Sequence, residues 1–401
     1  MHWQGSDQHK RSFTRIWLEC SVRILISAGE ASGEMYGAQL IEALRLEFSE
    51  PIEFFGVGGD KMRAAGCDTV IDAKDLAVVG ITEILGQLPK IWKLFHHLID
   101  EADRRKPDLA IVIDSPGFNW RVAREMKQRG VPVVYYVCPQ FWAWRQGRVK
   151  LLRDYVDKAL VIFPFEEKFY RDRGVDAEFV GHPLAGLSRP EVSRERYAKE
   201  FELDTSKQWI TLMPGSRRKE VRMNLPRILE SAAMLGDGFE FLLPVAPTLD
   251  AGYFNQFLIP APKVREQVHL VPEALPALAH SRAGIIASGT ATVEAALMEL
   301  PFVMVYRVTM LTYLLGISTI KVPHFAMVNL IAGEQVIPEL VQHDFTPERV
   351  VAEVKTILPD GPARTEMLRR LHLVKTQLGG PASADSAPLR AGAAIRKLLS
   401  H

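Results

Sequence analysis

The sequence predicts an α/β protein made of two doubly wound, Rossmann-like domains. Three observations carry that expectation. Short apolar runs alternate with helix-period segments through the first half of the chain. The same alternation starts again beyond a charged, strand-poor stretch at residues 182–207. The runs are apolar on both faces, as parallel strands covered by helices on either side must be.

In chain order the strand candidates are "VRILISA" (22–28), "IEFFGVG" (52–58), "LAIVID" (109–114), "VPVVYYV" (131–137) and "KALVIF" (158–163), with helical patterns over 34–48, 87–104 and 118–129. The second half supplies "WITLMP" (209–214), "EFLLPVA" (240–246), "QVHLV" (267–271), "GIIAS" (284–288) and "FVMVYR" (302–307). The organisation expected is an N-terminal extension (1–21), one Rossmann-like domain (22–185), a second (186–375) and a C-terminal helix (376–401) after the turn-rich "GGPASADSAP". Two such halves imply a cleft, with functional groups at the carboxyl ends of the strands.

Forty-nine basic residues against 48 acidic ones leave a net charge of +1, so no global field favours nucleic acid and any anion site is local. Three separated cysteines (Cys20, Cys67, Cys138), without a CxxC pair, fit a reducing compartment rather than a disulfide framework or structural zinc site. The first 20 residues lack the apolar core of a secretory signal. The longest uncharged runs, 131–144 and 308–320, fall short of the roughly 18–20 residues that span a bilayer. The expectation is a soluble or membrane-peripheral protein.

Two strand–turn–helix junctions in the second half have the chemistry of anion sites. In "LMPGSRRKEV", Gly215 lets backbone approach a ligand, the amides at the helix start attract negative charge, and Arg217 can grip a phosphate. The other reading is a helix capped by Ser216 with a solvated basic face. Cations in a first turn oppose the helix dipole, however, and so require another reason. After "GIIAS" comes Ser288-Gly289-Thr290, then Glu294, a carboxylate suited to a vicinal diol such as ribose; an ordinary capped helix is the alternative. Together the two turns describe a nucleoside-diphosphate pocket better than either alone. In the first half, Asp114 closes a buried run ahead of "SPGFN", where a partly desolvated carboxylate can take a proton from a hydroxyl. An Asx-type cap before Pro116 is the alternative there. The glycine-rich turn "SAGEASGEMYG" matches neither a dinucleotide fingerprint nor a Walker loop. No metal-ligand cluster is apparent.

Two stretches combine apolar and basic residues. In one, Leu88, Ile91, Trp92, Phe95, Leu98 and Ile99 share a helical stripe; in the other, Trp142 and Trp144 adjoin Arg145, Arg148 and Lys150. Such surfaces can lie in a headgroup layer, although a core-facing stripe explains the first equally well.

These residues resemble a known family, the lipid-A-disaccharide synthases, inverting glycosyltransferases of the GT-B fold. The resemblance rests on "SAGEASGEMYGA", "GVGGDKM", "VVGITEIL", "VIDSPGFN", "WAWRQGRVK", "FPFEEKFY", "VGHPL", "MPGSRRKEV", "ASGTATVEAAL" and "PFVMVYR" followed by "VNLIAGEQVIPEL", and it covers residues 22 to 375. It implies a UDP-2,3-diacylglucosamine donor and a 2,3-diacylglucosamine 1-phosphate acceptor, joined β(1→6) with release of UDP. Two helix N-termini and an arginine can stabilise departing UDP without an obligatory metal, so no cofactor is expected. Asp114 matches the general base and Arg217, with Gly215 and Ser216, the diphosphate site. Glu294, with Ser288, Gly289 and Thr290, matches the nucleotide turn, and Asn329 lies in the matching "NL" segment. The turn of Gly29, Glu30, Ser32 and Gly33 goes with the acceptor side. Trp92, Phe95, Trp142, Trp144 and Arg145 become the expected acyl entrance on the cytoplasmic face of the inner membrane of a Gram-negative bacterium. A homo-oligomer is compatible with this reading, and nucleic acid is not a partner. One departure stands out: the family's second carboxylate in Asp-x-Pro-Asp-Phe-Asn is Gly117 here. The alternatives are a UDP-N-acetylglucosamine 2-epimerase-like enzyme on the same fold and a non-catalytic lipid-binding protein.

Overall fold

The computed structural model describes residues 21–76, 81–309, 322–380 and 385–400, and of Ala31 and residues 81–87 only the backbone. The N-terminal extension and most of the 308–320 run lie outside the described residues. The chain forms two compact units: one runs through Pro183 and resumes at Gly380, and the other spans Leu184–Gly379.

The first unit is built on a seven-stranded parallel sheet. Its strands are β1 (Val22–Ala28), β2 (Ile52–Gly58), β3 (Cys67–Asp72), β4 (Leu109–Ile113), β5 (Val133–Tyr136), β6 (Lys158–Val161) and β7 (Ala177–Phe179), in the order β3-β2-β1-β4-β5-β6-β7. The chain therefore builds outward from β1 and then crosses to its other side at β4. Every residue of β4 is fully buried, as helices on both faces of a parallel sheet require. Each larger aliphatic there contributes about 1.5–3 kcal/mol by leaving water. Helix α1 (Ala31–Glu47) follows β1, α2 (Ile81–Arg105) precedes β4, and α3 (Pro116–Gln128) follows it. Pro116 opens α3 with its fixed φ, and Val122, Ala123 and Met126 form its buried face. Helix α4 (Pro164–Arg171) follows β6.

The second unit holds a six-stranded parallel sheet, β10-β9-β8-β11-β12-β13. The strands are β8 (Gln208–Met213), β9 (Phe239–Pro244), β10 (Val268–Val271), β11 (Ala283–Ala287), β12 (Phe302–Tyr306) and β13 (Glu339–Val341). Helix α5 (Arg218–Leu235) follows β8, α6 (Thr290–Leu297) follows β11, and α7 (Met327–Ala332) precedes β13. No helix among the described residues is long and apolar enough to cross a membrane.

The ten strands expected from apolar runs are all present. The three not expected, β3, β7 and β13, lie at sheet edges. An edge strand buries less, so "CDTVID", "AEF" and "ELV" carry charges and lack the two-faced apolar signature. The last helix, α8 (Ala387–Leu399), belongs to the first unit. Ala391 and Ile395 are fully buried there, Gly392 packs against Ala43 and Glu47 of α1, and Arg390 Nε donates to the Val180 carbonyl at 2.7 Å.

Candidate functional site

In an open parallel sheet the carboxyl ends of two neighbouring strands part where the winding reverses, leaving a crevice. The reversal falls between β1 and β4 in the first unit and between β8 and β11 in the second. The four turns singled out in the sequence leave those four strands: Gly29-Glu30 after β1, Asp114-Ser115 after β4, Gly215-Ser216-Arg217 after β8 and Ser288-Gly289 after β11.

In the first unit Asp114 sits just past the strand, half-buried, with φ of 47°. Ser115 follows at 46°. Two successive non-glycine residues in the left-handed region are costly and persist only where their surroundings hold them. The surroundings are a buried network. Asn119, fully buried in the first turn of α3, donates from Nδ2 to the carbonyls of Ile113 (2.8 Å), Asp114 (2.9 Å) and Ser27 (3.2 Å) and accepts the Ser27 hydroxyl (2.7 Å). The Tyr135 hydroxyl donates to the Asp114 carbonyl at 2.7 Å. Gly29 lies so close that a Cβ on it would meet Ser115 Oγ at 2.7 Å. Glu30 is exposed beside it, Ser32 is half-buried and Gly33 is buried against Ala28 and Ile113. At Gly117 a side chain would meet nothing within 4 Å.

In the second unit the Gly215 turn contains its own anion. Glu220 Oε2 accepts the amides of Ser216 (3.1 Å) and Arg217 (3.3 Å), capping α5. The acid that a capped helix calls for is therefore present, three residues beyond Arg217, and Ser216 is not the cap. Gly215 is obligatory here: its φ is 119°, and a Cβ would lie 2.6 Å from Glu220 Cβ. Arg217 remains exposed, 3.8 Å from the Glu220 carboxylate. Arg218 is held over the Tyr253 ring at 5.0 Å, and Lys219 and Arg222 face solvent. Buried Asn224 on α5 ties the turn to β12, donating to the Pro214 carbonyl (2.9 Å) and accepting the Arg307 amide (3.0 Å).

At the second turn, Gly289 (φ 144°) precedes α6 and no side chain caps the helix. Ser288 Oγ donates to the Phe325 carbonyl at 3.1 Å, and Thr290 is exposed at the helix start. Glu294 is half-buried, its carboxylate has no hydrogen-bond partner among the described residues, and burial pushes that carboxyl above the ordinary value. Asn329, expected at the nucleotide, is engaged inside the unit. It is fully buried, accepts the amides of Val336 and Ile337, and donates to the Ile337 carbonyl and to Glu339 Oε1. With all its hydrogen-bonding positions used, it braces the segment that follows the carbonyl holding Ser288.

Two residues expected at a lipid surface are interior. Phe95 is buried, stacked on Trp92 and edge-on to Phe118 of α3. Trp142 is buried, and its Nε1 donates to Glu166 Oε1 at 2.8 Å. Leu88, Trp92 and Trp144 are exposed, and the Arg145 guanidinium lies 4.6 Å over the Trp144 ring. Asn119, Asn224 and Glu220 escaped the sequence reading. Their only signal is a polar residue at a core-facing or first-turn helix position soon after a glycine- or proline-bearing turn.

Residues 24–382 match the family model described as "Lipid-A-disaccharide synthetase". A lipid-A-disaccharide synthase of Koribacter versatilis is 52% identical over 374 residues, covering 93% of this chain and 98% of that protein. One of Acidobacterium capsulatum is 45% identical, covering 91% and 94%. Among solved structures, the calicheamicin glycosyltransferase CalG4 aligns with a TM-score of 0.59 at 16% identity, over 95% of this chain and 99% of that one. A UDP-GlcNAc 2-epimerase of Neisseria meningitidis bound to UDP-GlcNAc aligns with 0.59 at 11% identity, over 95% and 100%. At such identities these two likenesses speak for the fold alone, two parallel-sheet units of the GT-B class.

Proposed function

The chain belongs to the lipid-A-disaccharide synthase family, glycosyltransferases of lipid A biosynthesis, and from that premise we propose how its residues carry the reaction. The donor is UDP-2,3-diacylglucosamine and the acceptor 2,3-diacylglucosamine 1-phosphate. The acceptor 6-hydroxyl loses its proton to Asp114 and its oxygen attacks the donor anomeric carbon from the face opposite the diphosphate. The bond from that carbon to the phosphate oxygen breaks, and the electron pair leaves on UDP. The product is the β(1→6) disaccharide.

Asp114 suits the base because a buried network fixes its backbone, so little reorientation is needed at the moment of transfer. Charge developing on the leaving diphosphate is met by Arg217 and by the first turns of α5 and α6. Glu220 already takes two of the α5 amides, so the guanidinium of Arg217 and the uncapped α6 turn carry most of that task. Glu294 accepts the ribose hydroxyls, which replace the solvation its carboxylate has lost. Because both substrates are acylated, exposed Trp92 and Trp144 meet the cytoplasmic face of the inner membrane, where amphipathic aromatics are favoured.

The observation that carries this reading is the placement of Asp114 and the Gly215 and Ser288 turns at the carboxyl ends of the innermost strands of their sheets. The test is direct: purified protein is incubated with UDP-diacylglucosamine and the acylated monosaccharide phosphate, and products are followed by mass spectrometry. Disaccharide and UDP in equal amounts are expected. Epimerised donor, or no disaccharide from well-dispersed lipids, would overturn the assignment.

A further inference from the structure

Residues 137–148 leave the carboxyl end of β5, the strand paired with β4. The Asp114 amide donates to the Tyr136 carbonyl at 3.3 Å, so this segment starts beside the proposed base. It is strained: Val137 has φ of 58° and Arg145 of 56°. For a β-branched residue that is a rare conformation, kept only where neighbours over-determine it.

The neighbours do so from beneath. Glu166, the buried acid of "FPFEEKFY", accepts Trp142 Nε1 at 2.8 Å and the amides of Phe163 and Ile162 at 3.0 and 3.1 Å. The Trp142 ring stands edge-on to Phe165, 4.8 Å away. Gln146 Nε2 donates to the Trp142 carbonyl at 3.0 Å, and the Tyr170 hydroxyl donates to the Pro139 carbonyl.

What this anchored segment offers to solvent is cationic. Arg145 is stacked on Trp144, and the Arg148 amide closes a single turn onto the Arg145 carbonyl at 2.8 Å. Arg145, Arg148 and Lys150 are exposed, and none of the three forms an ion pair among the described residues. Elsewhere on the first unit, Arg63, Arg104 and Arg153 are exposed and paired with acids, whereas exposed Arg121 and Arg173 turn their guanidinium groups onto the carbonyls of Gly117 and Phe169. A rigidly held, uncompensated arginine pair is suited to a dianion, since a guanidinium engages phosphate oxygens two at a time.

We infer that Arg145 and Arg148 bind the phosphate monoester of the acylated acceptor sugar, holding its far end while Asp114 addresses its hydroxyl. The inference rests on the transferase reading above for the identity of the acceptor. The shared chemistry is a phosphate, which a membrane headgroup also carries, so the test separates the two sources.

Full-length protein is titrated calorimetrically in neutral detergent micelles with 2,3-diacylglucosamine 1-phosphate and with the same lipid lacking the phosphate. Wild type should bind the phosphorylated lipid at least about tenfold more tightly. Arg145→Ala and Arg148→Ala should erase that difference while binding the phosphate-free lipid and UDP as wild type does. Wild type indifferent to the phosphate, variants that keep the preference, or variants that lose both lipids equally would each overturn the assignment. Sedimentation with phosphatidylglycerol vesicles gives the second arm. Variants that lose vesicle binding yet keep the micellar preference place these arginines on headgroups and also overturn it. No turnover is needed, so a failure of the transferase reading would appear separately, as missing disaccharide.

Discussion

The side-chain amide of Asn119 donates to the backbone carbonyl of Asp114 at 2.9 Å, fastening the residue proposed as base to the helix that follows it. The same amide reaches Ile113 and Ser27, so one asparagine ties the ends of β1 and β4 together. Asn224 plays the corresponding part in the second unit, between Pro214 and Arg307. In both units the turn proposed to be functional is positioned by a buried amide rather than by the apolar core alone.

Asn119→Ala strips partners from several buried polar groups and relaxes a strained turn. Stability should fall by about 2–4 kcal/mol. Turnover should fall about a hundredfold, because small misplacements of a reacting group are costly. Denaturant melts and kcat measured on the folded fraction check both. A kcat unchanged on that fraction would make the brace purely structural.

Asp114→Asn keeps shape and removes basicity. Turnover should fall by about 10²–10⁴, the usual range for loss of a general base, while calorimetric UDP affinity stays near wild type. A residual rate above about a tenth of wild type would identify another base, which residue 117, a glycine, cannot itself supply.

Arg217→Ala should weaken UDP binding about tenfold to a hundredfold and slow turnover at least as much, since the guanidinium meets both ground-state and developing charge. Gly215→Ala tests the turn itself. It forces a Cβ to within 2.6 Å of Glu220 at a φ of 119°, so it should lower Tm and free the Ser216 and Arg217 amides together. Hydrogen exchange at those two amides gives the readout; unchanged protection would contradict the role of Glu220 as their acceptor.

Glu166 predicts a pH dependence of stability. Burial raises its carboxyl from 4.5 to about 7, against the hydrogen bonds from Trp142, Phe163 and Ile162 that pull it down. Between those values the folded chain retains a proton that the unfolded chain has released. Its contribution is therefore present below the unfolded value and is lost as pH rises toward 7, by about 3 kcal/mol in all. Urea melts at intervals from pH 4.5 to 8 should show that decline, and Glu166→Gln should flatten it. A wild-type curve as flat as that of the variant would refute the assignment.

Much of this was legible in the chain itself. "VRILISA", "LAIVID", "WITLMP" and "GIIAS" announce buried parallel strands because both faces must be apolar, and Asp114, Gly215 and Ser288 are recognisable as the residues that end them. The edge strands β3, β7 and β13 were not legible, since they bury less and carry charge, whereas β10, also at an edge, kept an apolar run that announced it. The greasy stripe on α2 was legible as a stripe but not as a surface. Phe95 turns inward to Phe118 while Trp92, three residues earlier, is 57% exposed, and only the packing partner separates them.

The sequence by itself determined the two parallel-sheet units, the family and the turns proposed to bear its chemistry, because periodicity and local turn composition depend on near neighbours along the chain. Tertiary structure decided which of those residues are occupied. Asn329 and Trp142 are consumed by internal hydrogen bonds, and Glu220 takes amides that an anion could have used. Arg145 and Arg148 stand without an ion pair among the described residues. A hydrogen bond between residues 24 or 92 positions apart leaves no periodic trace, and it is such bonds that separate a side chain holding the fold from one free to hold a ligand.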